Sequence, residues 1–147
     1  RLLLIGNGSL SNYVKNYLIK HGMGGVIHCP GVVNNNLLPK YFQVADIYLS
    51  CSHTDGSSVS LLEALASGIP AIVSDIPGNR EWIINEKIGG LAPTEDASIF
   101  AEQILTYANL NLTDREISRI SNRQIIESRG DWDRNFCRLL ELYQKVV

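Results

Sequence analysis

Cysteine is scarce in this chain, and its scarcity excludes two architectures. Cys29, Cys51 and Cys137 are odd in number, widely spaced and free of any CxxC pattern. They form neither a disulfide framework nor a thiolate metal site, and read as reduced, mostly buried thiols of a cytosolic protein. Positive charge is not in excess either: 13 Lys and Arg against 15 Asp and Glu leave a net charge of −2. Nucleic acid is therefore not an expected partner, because its binding rests on Lys and Arg neutralising phosphates. No apolar run approaches the roughly 18 residues that a bilayer span needs, and no signal peptide is present. His21, His28 and His53 share no metal-ligand spacing. No Ser-His-Asp order or nucleophile elbow appears. Repeats and low-complexity segments are also missing.

What is there is ordinary globular composition, 45% hydrophobic and 19% charged over 147 residues. That suits one domain, residues 1–147, able to bury roughly 70% of its unfolded surface. Arg1 leads directly into Leu2-Leu3-Leu4-Ile5 with no Met, which reads as the start of an excised domain.

Short apolar runs alternate with helical patterns. Strands are expected at Leu2–Ile5, Val26–Cys29, Ile47–Ser50, Ala71–Ser74 and Gly90–Ala92, with a turn at Pro30-Gly31. Helices are expected from Tyr13 to His21, over Leu37–Val44, from about Val59 to Ala66, and over Arg80–Ile84. After Pro93 three helical stretches follow without strands: Ala97–Tyr107, Thr113–Glu127 and Trp132–Val147. Strands alternating with helices imply an α/β fold, a Rossmann-like parallel sheet with helices on both faces, here ending in a helical segment. Ligands of such sheets bind outside the carboxyl ends of the strands, at the loops after Ile5, Cys29, Ser50 and Ser74.

The most informative stretch is DGSSVSLLEALASGIP, which places Asp55 and Glu63 eight positions apart around a helix start. Gly56, Ser57 and Ser58 suit a turn and an N-cap, Val59 to Ala66 repeat at helical spacing, and Gly68 with Pro70 ends the helix. Free N–H groups and the positive dipole end then point outward just after Asp55, a setting suited to phosphate. Glu63, nearly two turns in, would accept two hydrogen bonds from a vicinal diol such as a ribose. Each acid has a plainer reading: Asp before Gly is a common turn residue, and Glu63 is a polar position in an apolar helix. Together they outline a nucleotide-sugar site.

Gly6-Asn7-Gly8-Ser9-Leu10-Ser11 begins like a dinucleotide fingerprint but has Ser where the third Gly belongs. No acid follows the second strand, where Cys29 and Pro30 stand, so a nicotinamide cofactor fits poorly. The glycines still admit close approach of a ligand. His53 is a candidate neighbour of the site. Arg80 either reaches a phosphate or belongs to a loop capped by Asn79. Trp82 and Trp132 read as core or interdomain packing, and Arg119, Arg123, Arg129 and Arg134 as a solvated face.

The run from Asp55 to Pro70 resembles the E-x7-E signature of the family 4 glycosyltransferases, retaining enzymes of the two-domain GT-B fold. LLLIGNG, VIHCPGVV, YFQVADIYLSCS, IPAIVSDIPGNREWI and the Trp132–Val147 segment resemble successive parts of their C-terminal domain. The resemblance implies that Glu63 holds the donor ribose and that Asp55, in the place of the first acid, contacts the donor sugar. It also implies that the amides of Gly56, Ser57, Ser58, Val59 and Ser60 face sugar and diphosphate. Val32 and Val33 would meet the nucleobase, and Gly6, Asn7 and Gly8 would line the cleft. Two departures stand out. Asp55 is one methylene shorter than the usual Glu, and the family's phosphate-binding Arg and Lys precede the LLLIGNG strand, outside this sequence, as does the acceptor domain.

The function so implied is retaining transfer of a sugar from a nucleoside diphosphate sugar to a glycan, lipid or small acceptor, without a metal or other cofactor. The setting is polysaccharide or glycolipid assembly, with a cytoplasmic enzyme that is soluble or loosely attached to the inner membrane face. A GT-B sugar-nucleotide epimerase and a non-catalytic nucleotide-sugar-binding domain are the alternatives.

Overall fold

Every strand pairing among the described residues is parallel, as alternating strands and helices require. The computed structural model describes residues 1–146. The chain divides into two compact units, Arg1–Tyr41 and Phe42–Val147.

The first unit is a β-α-β hairpin of elements. Strand β1 (Leu2–Ile5) pairs with β2 (Ile27–Gly31), and helix α1 (Ser11–Lys20) connects them. The ladder runs Leu2 to Ile27 and Leu3 to His28, then shifts so that Ile5 meets Gly31. Strand β2 thus continues through Pro30-Gly31, where the sequence leads one to expect a turn. Pro30 has no N–H to give the ladder, and pairing resumes when Gly31 O accepts the Gly6 N–H at 2.9 Å. No residue of this unit is buried. A short 3-10 turn, Asn35–Leu37, is capped by Asn34 and leads into α2 (Leu38–Val44).

The second unit is built on a three-stranded sheet in the order β3 (Tyr48–Ser50), β4 (Ala71–Ser74), β5 (Gly89–Ala92). Central β4 is buried at all four positions, as a parallel strand covered on both faces should be. Its side chains alternate between two cores. Ala71 and Val73 join Leu61 and Leu65 of α3 (Val59–Ala66), together with Trp82, Ile83, Ile88 and Ile125. Ile72 joins Ala92 and, from α5 (Ala97–Ala108), Phe100 and Tyr107. Helix α4 (Pro77–Arg80) follows β4. Helix α6 (Leu112–Ile125) widens into a π turn, Ile126–Gly130, before α7 (Trp132–Gln144). Asp96, Asn111 and Asp131 cap α5, α6 and α7 through their side chains.

Several expectations are corrected. Helix α4 begins at Pro77, three residues before Arg80, because Pro is preorganised for the first helical position. Asn79 therefore lies inside this helix, buried, and does not cap it. The expected helix Thr113–Glu127 ends in the π turn, and Val147 of the last stretch lies outside the described residues. The cysteines are not buried: Cys51 and Cys137 are exposed and Cys29 half-buried. Trp82 is a core residue, but Trp132 is 78% exposed and stacks on Phe136 within α7.

Candidate functional site

Helix α3 opens as its pattern predicts, at Val59 with Ser58 as N-cap. Ser58 has the extended backbone of a capping residue, yet its side chain caps nothing. Its Oγ lies 3.2 Å from Ser60 Oγ, which is itself 2.7 Å from Tyr48 Oη. These hydroxyls bond one another and leave the first-turn N–H groups without a side-chain partner. Gly56, Ser57, Val59 and Ser60 are exposed and Ser58 is half-buried. The opposite face of the helix is fully anchored, with Leu61, Ala64 and Leu65 completely buried. Donor groups at this end are therefore presented on a fixed axis.

Asp55 and Glu63 are both exposed. Neither carboxylate bonds another side chain among the described residues, so both are open to a ligand. Glu63 stands four residues beyond Val59, about 6 Å further along the helix axis.

Loops from all three carboxyl strand ends meet near Asp55. After β4, the α4 turn presses its backbone on the Asp55 loop: a Cβ on Gly78 would stand 1.8 Å from Gly56 O and 2.8 Å from Asp55 O. After β5, Glu95 Oε1 lies 3.8 Å from His53 Nδ1, and both side chains are largely exposed. Glu95 holds a left-handed backbone, φ 68°. Arg80 is engaged within its own turn, with Nε 2.6 Å and Nη2 3.0 Å from the two Asp75 carboxylate oxygens. That bidentate contact holds the Asp75 carboxyl below its ordinary range and the Arg80 guanidinium above its own. Arg80 thus answers Asp75 in this structure, which occupies the charge that sequence reading offered to a phosphate. Gly78 and Tyr48 are the positions sequence reading missed. The PG dipeptide signalled a turn at Gly78, but only the fold shows what lies against it.

The remaining candidates, Gly6, Asn7, Gly8, Val32 and Val33, belong to the first unit. Gly6 has φ 122°, a conformation that requires glycine. Ser11, in the place of a third fingerprint glycine, lies 2.5 Å from Asn7 Oδ1 through its Oγ and accepts the Gly8 N–H at 3.0 Å. This staple shapes a cavity of about 490 Å³ lined by the Gly6–Gly8 loop, Lys15, Cys29 and Gly31. Val32, 79% exposed, and Val33, half-buried, follow Gly31 along the chain.

Two parallel sheets flanked by helices, with a glycine loop and a helix start after the carboxyl ends of their strands, define an α/β domain. The model of the group 1 glycosyl transferases matches residues 1–124, and the chain belongs to that family. The chain is 30% identical over 155 residues to the GtfA subunit of a UDP-N-acetylglucosamine–peptide N-acetylglucosaminyltransferase from Streptococcus agalactiae, covering 95% of this chain and 29% of that protein. It is also 30% identical to the N,N'-diacetylbacillosaminyl-diphospho-undecaprenol alpha-1,3-N-acetylgalactosaminyltransferase of Campylobacter jejuni, over 84% of this chain and 32% of that one. Sucrose-phosphate synthase from Thermosynechococcus elongatus shares the fold, with a TM-score of 0.87 at 20% identity, over 98% of this chain and 38% of that chain. The fold is that of the C-terminal domain of GT-B glycosyltransferases. The chain spans about a third of the length of these relatives. Among the described residues, no helix is long and apolar enough to cross a membrane.

Proposed function

We propose that this chain is the donor-binding domain of a family 4 glycosyltransferase, which transfers a sugar with retention from a nucleoside diphosphate sugar. The observation that carries this reading is the uncapped, exposed first turn of α3 between two unengaged carboxylates. The N–H groups from Gly56 to Ser60 receive the diphosphate. Glu63 binds the ribose diol, and Asp55 contacts the sugar in transfer. Val32 and Val33 meet the base, while Gly6, Asn7 and Gly8 line the cleft.

The chemistry is stabilisation of a leaving group. As the bond between anomeric carbon and diphosphate breaks, negative charge grows on phosphate oxygens, where fixed N–H donors oppose it. Such donors are already oriented, so little reorganisation accompanies the reaction. No resident cofactor enters this scheme. By analogy with the relatives, a UDP-sugar is the donor, as for the Streptococcus agalactiae protein, and a lipid-linked sugar hydroxyl the acceptor, as for the Campylobacter jejuni one. The protein then works in the cytoplasm or loosely attached to the inner membrane face.

Calorimetry on the full protein with UDP and UDP-N-acetylglucosamine tests the reading. Glu63→Ala should weaken UDP binding by about 10-fold or more, since hydrogen bonds to a charged group contribute roughly 1.5–3 kcal/mol. Unchanged affinity would remove Glu63 from the ribose. Asp55→Ala should lower turnover far more than UDP affinity, the mark of a contact made in the transition state.

A further inference from the structure

We propose that the turn from Asp75 to Arg80 is a fixed seat for the Asp55 loop, and that Gly78 and Asn79 are positioning residues for the transfer that Asp55 serves. This rests on the reading of Asp55 given above. The seat is tied to the centre of the sheet. Ser74, fully buried at the end of β4, offers its carbonyl to Asn79 Nδ2 at 2.8 Å. Asn79 is only 2% exposed, and its own carbonyl accepts the N–H groups of Trp82 and Ile83 at 3.0 and 2.9 Å. The Asp75–Arg80 clamp closes the same turn from outside. A buried residue held through its side-chain Nδ2 on one side and its main-chain carbonyl on the other leaves this segment little freedom to shift.

Against that seat lie the carbonyls of Asp55 and Gly56. Gly78 is not required by its own backbone, because its φ is outside the left-handed region. What excludes a side chain there is space alone. A methyl group would meet Gly56 O at 1.8 Å, where an ordinary C···O contact is about 3.3 Å. Both obstructing atoms are backbone and cannot rotate aside. The Asp55 loop would have to retreat by roughly 1.5 Å, the difference between those two distances. Displacement on that scale costs a reacting group about 100-fold in rate. Glu63, exposed on α3, is not among the groups that a Gly78 methyl would meet.

The test uses Gly78→Ala and Asn79→Ala in the full protein, with UDP and UDP-N-acetylglucosamine as probes. Gly78→Ala should lower turnover by about 10- to 100-fold while UDP binds within about threefold of wild type. Asn79→Ala should cost turnover less, and the double variant should recover part of the Gly78→Ala loss, because a loosened seat can yield. A crystal structure of ligand-free Gly78→Ala should show the Asp55–Gly56 backbone moved by about 1 Å or more, as the added methyl demands. Wild-type turnover in Gly78→Ala, an unmoved loop, or equal losses of turnover, UDP affinity and melting temperature would each overturn the proposal. If Gly78→Ala fails to fold, normal turnover in Asn79→Ala overturns it. A normal Asp55→Ala enzyme would instead sink the reading beneath it, whatever Gly78→Ala does.

Discussion

The two units of this chain solve the same local problem with different means. Each places a glycine-bearing loop after a parallel strand. In the first, the loop is held by its own neighbours: Ser11 staples Asn7 and Gly8, and nothing around it is buried. In the second, the loop is held from beneath by a packed sheet whose central strand is wholly buried, with Leu61 and Leu65 under the helix that follows. Local hydrogen bonds exposed to water contribute only about 0.5–1.5 kcal/mol each. Buried apolar side chains contribute roughly 1.5–3 kcal/mol each. Precision of placement therefore belongs to the second unit, where both carboxylates lie.

The contrast breaks first under core truncation. Leu65→Ala, at a completely buried position, should destabilise by about 2–5 kcal/mol, while Val14→Ala, at a half-buried position of α1, should cost less than about 1.5 kcal/mol. Denaturant melts of the two variants measure this, and equal losses would erase the distinction. A smaller effect separates the helix starts. Asp96 accepts the Ser98 and Ile99 N–H groups, both at 3.1 Å, whereas α1 starts at Leu10 with no side-chain cap. Asp96→Ala should cost about 1 kcal/mol and Leu10→Asp should stabilise by about 0.5–1. The melting temperatures should move in opposite directions.

The last effect is a pH dependence. Burial, and then Glu86, pushes the Tyr107 phenol up to about 12 from an ordinary 10.0. The folded state thus keeps a proton that the unfolded chain gives up. Its contribution is intact below pH 10 and is lost as pH rises toward about 12. Tyr107→Phe should flatten that part of the stability profile. At neutral pH it should cost about 1 kcal/mol through the lost bond to Glu86 O. An unchanged alkaline slope would show that Tyr107 titrates normally.

Much of this arrangement was legible beforehand, and the reason differs from element to element. Helix α3 was readable because its apolar period, its hydroxyl start and its Gly-Pro stop all agree over thirteen residues, Ser58 to Pro70. The strand cores were readable as short apolar runs. Where signals were carried by single residues, tertiary structure decided. Pro30 reads as a turn, but β1 keeps it in a strand. Asn79 reads as a cap, yet it is spent on Ser74 O, five residues back and outside any helical repeat. Arg80 reads as a free cation until Asp75 folds onto it. The approach of Gly78 to Gly56 joins residues 22 apart, and no local pattern encodes it.

The π turn has a geometric consequence of its own. Its widened step lets Arg129 lie 5.2 Å above the Trp82 ring and donate to Glu81 O at 2.9 Å, with Asn135 Nδ2 closing on Arg129 O. Five residues closed by i→i+5 bonds turn the chain about as far as four in an ordinary α-helix, so the extra residue is absorbed within the step. Removing one residue from Ile126–Gly130 would restore ordinary winding and leave the bearing of Trp132 and Phe136 almost unchanged, while Arg129 would be drawn from its place over the indole. The step is a splice that sets one local contact without turning the chain's last helix.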